Sequence, residues 1–312
     1  MIYVLGSINL DLSVELERLP KKGETVIADS LKSGLGGKGA NQAVAIAKLG
    51  KRDDKDVSPV RLIGHVGKDA GGDSLINKLN EFGVNTDFVH RVNRPTGTAI
   101  VTLTGKDNRI MVYTGANSGL SKTDVDEALE GATSADTLLC QLEVPLYVVA
   151  YALRKARAIG MTTIFNPAPA KELPEDLYYN VDIIVPNETE TQILTGINPR
   201  DYDSQIDALQ EFHERGVHYA VITLGDKGSV ISDGTGFVAH IPPRKTAVVD
   251  TTGAGDTFVG ALALTYPHIG MYSFREACAF ATAAAALTVS KRGAADSIPT
   301  FAEVAAMYNR VI

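Results

Sequence analysis

The sequence has no tryptophan and only two cysteines, Cys140 and Cys278. Two thiols are too few for a disulfide-stapled scaffold or a Cys-ligated zinc fold. Both lie among apolar residues, which points to reduced core thiols and a cytoplasmic protein. No apolar run reaches the roughly 18–20 residues that a membrane span needs. The opening stretch MIYVLGSINLDL has no positively charged leader and is interrupted by Asp11, so it reads as a first strand and turn and not as a signal peptide. Basic residues are in the minority. Lys plus Arg number 30 against 37 Asp plus Glu, a net charge of −7, which argues against the basic face that a nucleic-acid binder needs. No linker rich in Pro, Gly or Ser, no internal repeat and no low-complexity tract interrupts the chain. The histidines at 65, 90, 213, 218, 240 and 268 are scattered without metal-site spacing, and no G-x-S-x-G marks a hydrolase. They read as surface or satisfied core residues.

What remains is ordinary globular composition, 45% hydrophobic and 21% charged over 312 residues, enough for a pocket enzyme. Apolar runs of strand length at 2–5, 60–66, 137–142, 162–165, 182–185 and 219–224 alternate with helical patterns. The Ala-rich stretch 40–49 closes at Gly50, residues 72–82 close at Gly83, and a helix starts near Pro145. The end of the chain reads as helical over 258–266, 273–289 and 301–311. This alternation predicts an α/β fold: a central, mostly parallel sheet sandwiched by helices. Residues 96–103 and 110–113, joined by the turn cluster Lys106-Asp107-Asn108, predict a β-hairpin. Stretches 12–16 and 25–31 are companion strands for a small second sheet. That organisation is one α/β domain over 1–312 with a β lid built from inserts near 12–33 and 96–113. The hairpin equally fits an edge meander. KRDDKDVSP at 51–59 reads as a charged surface loop.

Two glycine clusters stand out. GLGGKGAN at 34–41 matches G-x-G-x-x-G at Gly34, Gly36 and Gly39, but no buried strand precedes it, as a dinucleotide site requires. Nor is it a P-loop, because Lys38 is followed by Gly39. Its glycines would let a backbone approach a ligand closely, with Lys38 and Asn41 offering donors to hydroxyls; a tight structural turn is the alternative. In DTTGAGD at 250–256, Gly253, Ala254 and Gly255 precede an apolar helix beginning near Thr257. Exposed N–H groups and the helix dipole there form an anion site. Asp256 beside it is either the helix N-cap or the base that takes a hydroxyl proton in phosphoryl transfer. PNETE at 186–190 opens a helix. Asn187 and Glu190 either serve the helix dipole or reach a hydrated Mg²⁺. TLGDKG at 223–228 is a turn at the carboxyl edge of the sheet, where ligands of open α/β sheets bind.

Taken together, GSINLDL, GGKGANQAVA, PNETE, TLGDKG and DTTGAGDTFVGAL occur in the order and spacing of the PfkB-type sugar kinases, the ribokinase-like family, and the chain resembles that family from end to end. The resemblance implies a kinase that uses ATP and Mg²⁺, with a monovalent cation, K⁺, as activator. Asn9, Asp11, Gly37, Lys38, Asn41 and Glu143 match the family's sugar-binding residues. Asp256 matches its base, also in contact with sugar, and Gly253, Ala254 and Gly255 its anion hole. Asn187, Thr223, Gly225, Gly228 and Gly255 match nucleotide contacts, with Glu190 near the Mg²⁺ and reaching it through water. Asp250, Thr252, Thr288, Lys291, Gly293 and Ser297 match the K⁺ ligands, with Thr288, Lys291 and Gly293 acting through backbone carbonyls. Thr282 departs from the larger polar residue often found near the adenine. The substrate that the resemblance implies is D-ribose. Fructose, 2-deoxyribose, 2-keto-3-deoxygluconate or a nucleoside, and a non-catalytic sugar-binding regulator, are the alternatives. A homodimer paired through the lid is expected, with no nucleic-acid or membrane partner.

Overall fold

The structure, a computed structural model, describes residues 1–52, 55–56, 60–104, 107–266 and 273–309. Its strands begin with β1 (Ile2–Leu5), β2 (Asn9–Glu15), β3 (Ser30–Gly36), β4 (Lys51–Arg52) and β5 (Lys55–Asp56). Then come β6 (Val60–Gly67), β7 (Val89–Val92), β8 (Gly97–Thr104), β9 (Asp107–Tyr113) and β10 (Thr137–Cys140). The last are β11 (Thr162–Phe165), β12 (Ile183–Ile184), β13 (Tyr219–Thr223), β14 (Ser229–Ser232) and β15 (Val238–Ile241). The helices are α1 (Lys38–Gly50), α2 (Ala70–Glu81), α3 (Lys122–Ala128), α4 (Leu146–Ile159) and α5 (Glu175–Tyr178). They continue with α6 (Glu188–Thr195), α7 (Tyr202–Glu214), α8 (Ala254–Thr265), α9 (Phe274–Thr288) and α10 (Phe301–Asn309).

A nine-stranded sheet runs in the order β15-β14-β13-β12-β11-β10-β1-β6-β7. The pairs from β7 to β13 are parallel, and β14 and β15 close one edge antiparallel. On β1, Ile2 and Val4 join one apolar cluster with α1, α8 and α9, while Tyr3 and Leu5 join a second with α4 and α7. The period-2 alternation of a strand thus feeds two cores, one on each face. Full burial of each such aliphatic side chain contributes about 1.5–3 kcal/mol. No helix among the described residues is long and apolar enough to cross a membrane.

The second sheet has the order β3-β2-β8-β9 and stands apart from the first as a lid. The expected hairpin is β8 and β9; part of its turn lies outside the described residues. The expected strand at 25–31 is displaced to Ser30–Gly36. Residues 25–29 have no core face to bury, and Ile27 is 89% exposed. The shift carries Gly34 and Gly36 into a lid strand, which removes the dinucleotide fingerprint: these glycines are not in a strand–helix turn of the main sheet. Of the charged stretch 51–59, Lys51–Arg52 pairs with Lys55–Asp56 as a short β ladder and not a loop; residues 53–54 and 57–59 lie outside the described residues.

Candidate active site

The order in which strands are added to the main sheet switches at β1, which has β6 on one side and β10 on the other. A crevice opens beyond the carboxyl ends of strands at such a switch point. Ser7 follows β1, Gln141 and Glu143 follow β10, and α1 starts above them. The Lys38 N–H donates to Glu143 Oε2 at 3.0 Å, the Ser7 hydroxyl donates to the same oxygen at 2.5 Å, and the Ala40 N–H reaches the Ser7 carbonyl at 2.9 Å. The Glu143 carboxylate and the Ser7 carbonyl thus each satisfy one first-turn donor of α1 that the helix itself leaves open. The glycines of this segment serve that approach. Gly37 has φ 89°, and a Cβ on Gly39 would lie 2.5 Å from the Gly6 backbone. What the backbone closely approaches within the chain is thus the exit of β1.

Helix α8 begins at Ala254, three residues earlier than the pattern suggested, with Gly253 as N-cap at φ 77°. Asp256 is consequently inside the first turn and is not the cap. Its Oδ2 accepts from Asn41 Nδ2 at 2.9 Å and its Oδ1 from Gln42 Nε2 at 3.0 Å. α1 and α8 come this close because Gly260, one turn beyond Asp256, has no side chain; a Cβ there would sit 2.6 Å from that of Ala45. A buried amide relay stands behind the carboxylate. Gln42 Nε2 also donates to Asn166 Oδ1 at 3.1 Å, Gln141 Nε2 donates to Gln42 Oε1 at 2.6 Å, and Asn166 Nδ2 donates to the Val185 carbonyl at 2.7 Å. Of the first-turn N–H groups, that of Ala254 makes a long 3.4 Å contact to the Thr251 carbonyl. Those of Gly255 and Asp256 have no acceptor among the described residues. A Cβ on Gly255 would meet nothing within 4 Å, and Gly253, Gly255 and Asp256 all border open space.

Asp256, Gly253, Gly255, Lys38, Asn187, Glu190 and Thr223 line one cavity of about 260 Å³. Burial alone would favour a neutral Lys38 amine, but Asp256, Glu143 and Glu190 together outweigh it and raise its ammonium above the ordinary value. Asn187 and Glu190 form a reciprocal cap on α6: each backbone N–H donates to the other's side chain at 2.8 Å. Burial pushes the Glu190 carboxyl up, while the Asn187 N–H and Lys38 pull the other way. The Thr223 N–H donates to the Pro186 carbonyl at 3.0 Å, joining the end of β13 to the start of α6. Gly225 and Gly228 take φ 58° and 92° in the turn that follows, away from the cavity lining.

The lid brings Asp11 toward the same crevice. Its carboxylate packs over Gly36, where a Cβ would be 2.1 Å away. Burial, then the charges of Glu143 and Asp256, push its pKa up to about 7. Asp11 Oδ1 and Asn41 Oδ1 are buried acceptors without a partner among the described residues. Asn9 Oδ1 instead accepts from Asn117 Nδ2 at 2.7 Å.

The loop before α8 holds a second cluster. Asp250 Oδ1 accepts from the Thr252 N–H at 3.0 Å and its hydroxyl at 2.6 Å, and Oδ2 accepts from the Gly293 N–H at 2.9 Å. Burial is outweighed by these donors and Arg292, so the Asp250 carboxyl sits below its ordinary range. Ser297 Oγ donates to the Ala294 carbonyl at 2.7 Å, and Thr288 Oγ1 to Thr257 Oγ1 at 3.0 Å. The Lys291 side chain points away to Glu303 at 2.8 Å. Thr282 is buried in α9 and donates to the Cys278 carbonyl at 2.8 Å.

The amides of Gln42, Gln141, Asn166 and Asn117 were not singled out in the sequence. A signal was present: Gln42 interrupts an otherwise Ala-rich buried helix face, and Gln141 and Asn166 each directly follow a wholly apolar strand end. Buried polar groups at such positions need partners.

The pfkB family carbohydrate kinase pattern matches residues 1–301, and the chain belongs to that family. A ribokinase of Haemophilus influenzae is 39% identical over 301 residues, covering 96% of this chain and 95% of that protein. A deoxyribokinase of Salmonella typhi is 37% identical over 302 residues, covering 96% and 95%. The chain spans about half of the bifunctional ribokinase/ribose-5-phosphate isomerase A of Fructilactobacillus sanfranciscensis, with 39% identity over 302 residues, 96% of this chain and 54% of that protein. Among solved structures, Arabidopsis thaliana ribokinase complexed with ribose and ATP is similar with a TM-score of 0.89 at 34% identity, covering 98% of each chain. The family and the α/β fold with a β lid are those expected from the motifs.

Proposed function

We propose that this carbohydrate kinase moves the γ-phosphoryl group of Mg·ATP to the C5 hydroxyl of D-ribose. The observation that carries the reading is the Asp256 carboxylate, held on both oxygens by side-chain amides beside helix N–H groups that lack acceptors. Asp256 takes the proton of the hydroxyl, and the freed oxygen attacks the γ-phosphorus. The bond from that phosphorus to the bridging oxygen breaks, and ADP leaves with the electron pair. The N–H groups around Gly253, Ala254 and Gly255 and the Lys38 ammonium face the charge of the transferring group.

The sugar is assigned to Asn9, Asp11, Gly37, Lys38, Asn41 and Glu143. Support comes from the orphaned acceptors on Asp11 and Asn41. A buried acceptor left unmade costs about 1–3 kcal/mol, and a sugar's hydroxyls would supply the missing donors. Asn187, Thr223, Gly225 and Gly228 are assigned to ATP, whose binding the ligands of the Arabidopsis relative support. Glu190 has one oxygen engaged by the Asn187 N–H and no protein partner for the other among the described residues, which fits a carboxylate that holds hydrated Mg²⁺. The carboxylate, hydroxyl and carbonyl oxygens of Asp250, Thr252, Thr288, Lys291, Gly293 and Ser297 are the hard donors that suit K⁺. When bound, the two ions would balance phosphate charge and steady the loop before α8. The lid excludes water from the reaction on closing. Leu31, Ile110, Met111, Val112 and Tyr113 leave it with exposed apolar surface, which supports a homodimer paired lid to lid and is tested by mass in solution.

The Salmonella typhi relative favours a second reading, with 2-deoxyribose as acceptor. Coupled ADP release with Mg·ATP, comparing ribose, 2-deoxyribose, fructose and adenosine in K⁺ or a large organic cation, separates the two. The proposal expects the highest kcat/KM on ribose, rising with K⁺. Preference for 2-deoxyribose replaces it with the second reading. Absence of sugar-dependent ADP release contradicts both.

A further inference from the structure

We propose that His65, His90 and Asp124 form a second site, outside the catalytic cavity, for a borderline divalent transition metal of the zinc class. His65 lies in β6 and His90 in β7, and the parallel register sets them opposite each other. Paired positions project from the same face of a sheet. The two imidazoles accordingly stack, with centroids 5.9 Å apart and an interplanar angle of 16°. Helix α3 brings a carboxylate to that face. Asp124 Oδ1 is 2.9 Å from His65 Nε2 and 3.3 Å from His90 Nδ1. One ligand atom from each residue lies within 4.8 Å of the other two. Glu127, further along α3, adds a second carboxylate at the rim, 3.9 Å from His90 Nε2.

This spacing is close to what a metal requires. Ligands at about 2.0–2.1 Å in tetrahedral geometry lie about 3.3 Å apart. The His90 and Asp124 atoms already have that separation, His65 and Asp124 need to open by a few tenths of an ångström, and the two imidazole nitrogens, within 4.8 Å of each other, close on the ion by rotation of the partly exposed His90 ring. The groups behind the ligands are in place as well. Asp124 Oδ2 accepts from the Ser121 N–H at 2.8 Å and its hydroxyl at 2.6 Å, which aims Oδ1 at the two rings. Although burial opposes it, Ser121 and His65 hold the Asp124 carboxyl below its ordinary range.

His65 is 5% exposed; among the described residues its one hydrogen bond is to Asp124, and Nδ1 is buried without a partner. No structural bond other than the one to Asp124 would be lost on ligation through Nε2. His90 is a third exposed and gives a path from solvent. Two imidazoles and a carboxylate select zinc, nickel or copper over Mg²⁺, which prefers oxygen ligands and water. None of the three residues lines the cavity that contains Asp256. A bound metal would brace β6, β7 and α3. It would also lie beside the turn that carries Asn117, since a Cβ on Gly119 would be 3.5 Å from His65 Nδ1.

The test is a zinc titration of the full-length protein, stripped by chelator and free of nucleotide, followed by calorimetry, melting temperature and, with cobalt as a spectroscopic substitute, visible absorption. One equivalent of zinc should bind, raise the melting temperature saturably and give the intense absorption of four-coordinate cobalt. His90→Ala and His65→Asn should each weaken binding by more than about tenfold, at least the cost of disturbing a metal's supporting contacts. His90→Ala removes a partly exposed ring and keeps the test sound should His65→Asn fail to fold. Asp256→Asn should leave zinc affinity unchanged. No saturable binding by the unaltered protein, or an affinity in His90→Ala within about tenfold of it, overturns the proposal.

Discussion

Gln42 and Asp256 stand 214 positions apart in the chain, yet the Gln42 amide nitrogen donates to Asp256 Oδ1 at 3.0 Å. With Asn41 on the other oxygen, the carboxylate is fixed between two consecutive residues of α1. Gln42→Met keeps the side-chain length and removes the donor. A hydrogen bond to a charged group contributes about 1.5–3 kcal/mol, so kcat should fall by about 10–100-fold with the KM for ATP little changed. Steady-state kinetics check this, and a wild-type kcat would show that Gln42 does not orient the base.

Gly36 sets the position of Asp11. A Cβ at residue 36 would overlap the Asp11 carboxyl carbon at 2.1 Å, so Gly36→Ala should displace the acid from the crevice. The expected outcome is a sugar KM raised by about tenfold, equivalent to about 1.4 kcal/mol, with a smaller effect on kcat. An unchanged sugar KM would remove Asp11 from the sugar site.

Asp11 also predicts a pH dependence. Burial and the charges of Glu143 and Asp256 raise its pKa from the model-peptide 3.8 to about 7 in the folded protein. The folded state then binds the proton more tightly than the unfolded chain. Its ionisation therefore costs stability progressively as pH rises from about 4 to about 7, and that cost is fully present above. Asp11→Asn should raise the melting temperature of the sugar-free protein at pH 8 and have little effect at pH 4. In the unaltered protein the sugar KM should fall as pH rises through 7, as Asp11 becomes a charged acceptor. Melting curves and sugar KM at the two ends of this range are the measurements, and equal effects at both would contradict the assignment.

How much of this was legible in the chain depends on range. The strands of the main sheet and Gly253–Asp256 were readable because their signals are local: apolar runs, and glycines just ahead of an apolar helix. The displaced strand β3 was not, because Gly34 and Gly36 lower strand propensity and their reason for being in a strand is Asp11, packed across from β2. The start of α8 was misplaced because Gly and Ala at 253–255 look like a loop until Gly260 seats the helix against Ala45. β7, β14, β15 and α3 were not singled out, being short and flanked by stronger signals. The amide relay needed the fold, since Gln42, Gln141 and Asn166 meet only when α1, β10 and β11 are assembled. His65 and His90 are 25 residues apart and become neighbours only through the β6–β7 register.

Asp250 ties the loop before α8 to Gly293, with its carboxyl held below the ordinary range. A depressed carboxyl contributes stability that is present above the unfolded pKa and lost as pH falls through the folded value. Asp250→Asn should therefore lower the melting temperature at pH 7 and converge on the unaltered protein in strong acid. It should also abolish the rise in turnover on adding K⁺. Retained K⁺ activation in the variant would move the cation elsewhere.

The most direct measurement is sugar-dependent ADP release by Asp256→Asn against the unaltered protein, with Mg·ATP, D-ribose and K⁺, alongside melting curves to establish that both are folded. Removing a general base typically costs about 10²–10⁴-fold, and the account predicts a loss of kcat in that range with little change in the melting temperature. Turnover near that of the unaltered protein would contradict it, because the proton of the sugar hydroxyl would then be taken by some other group.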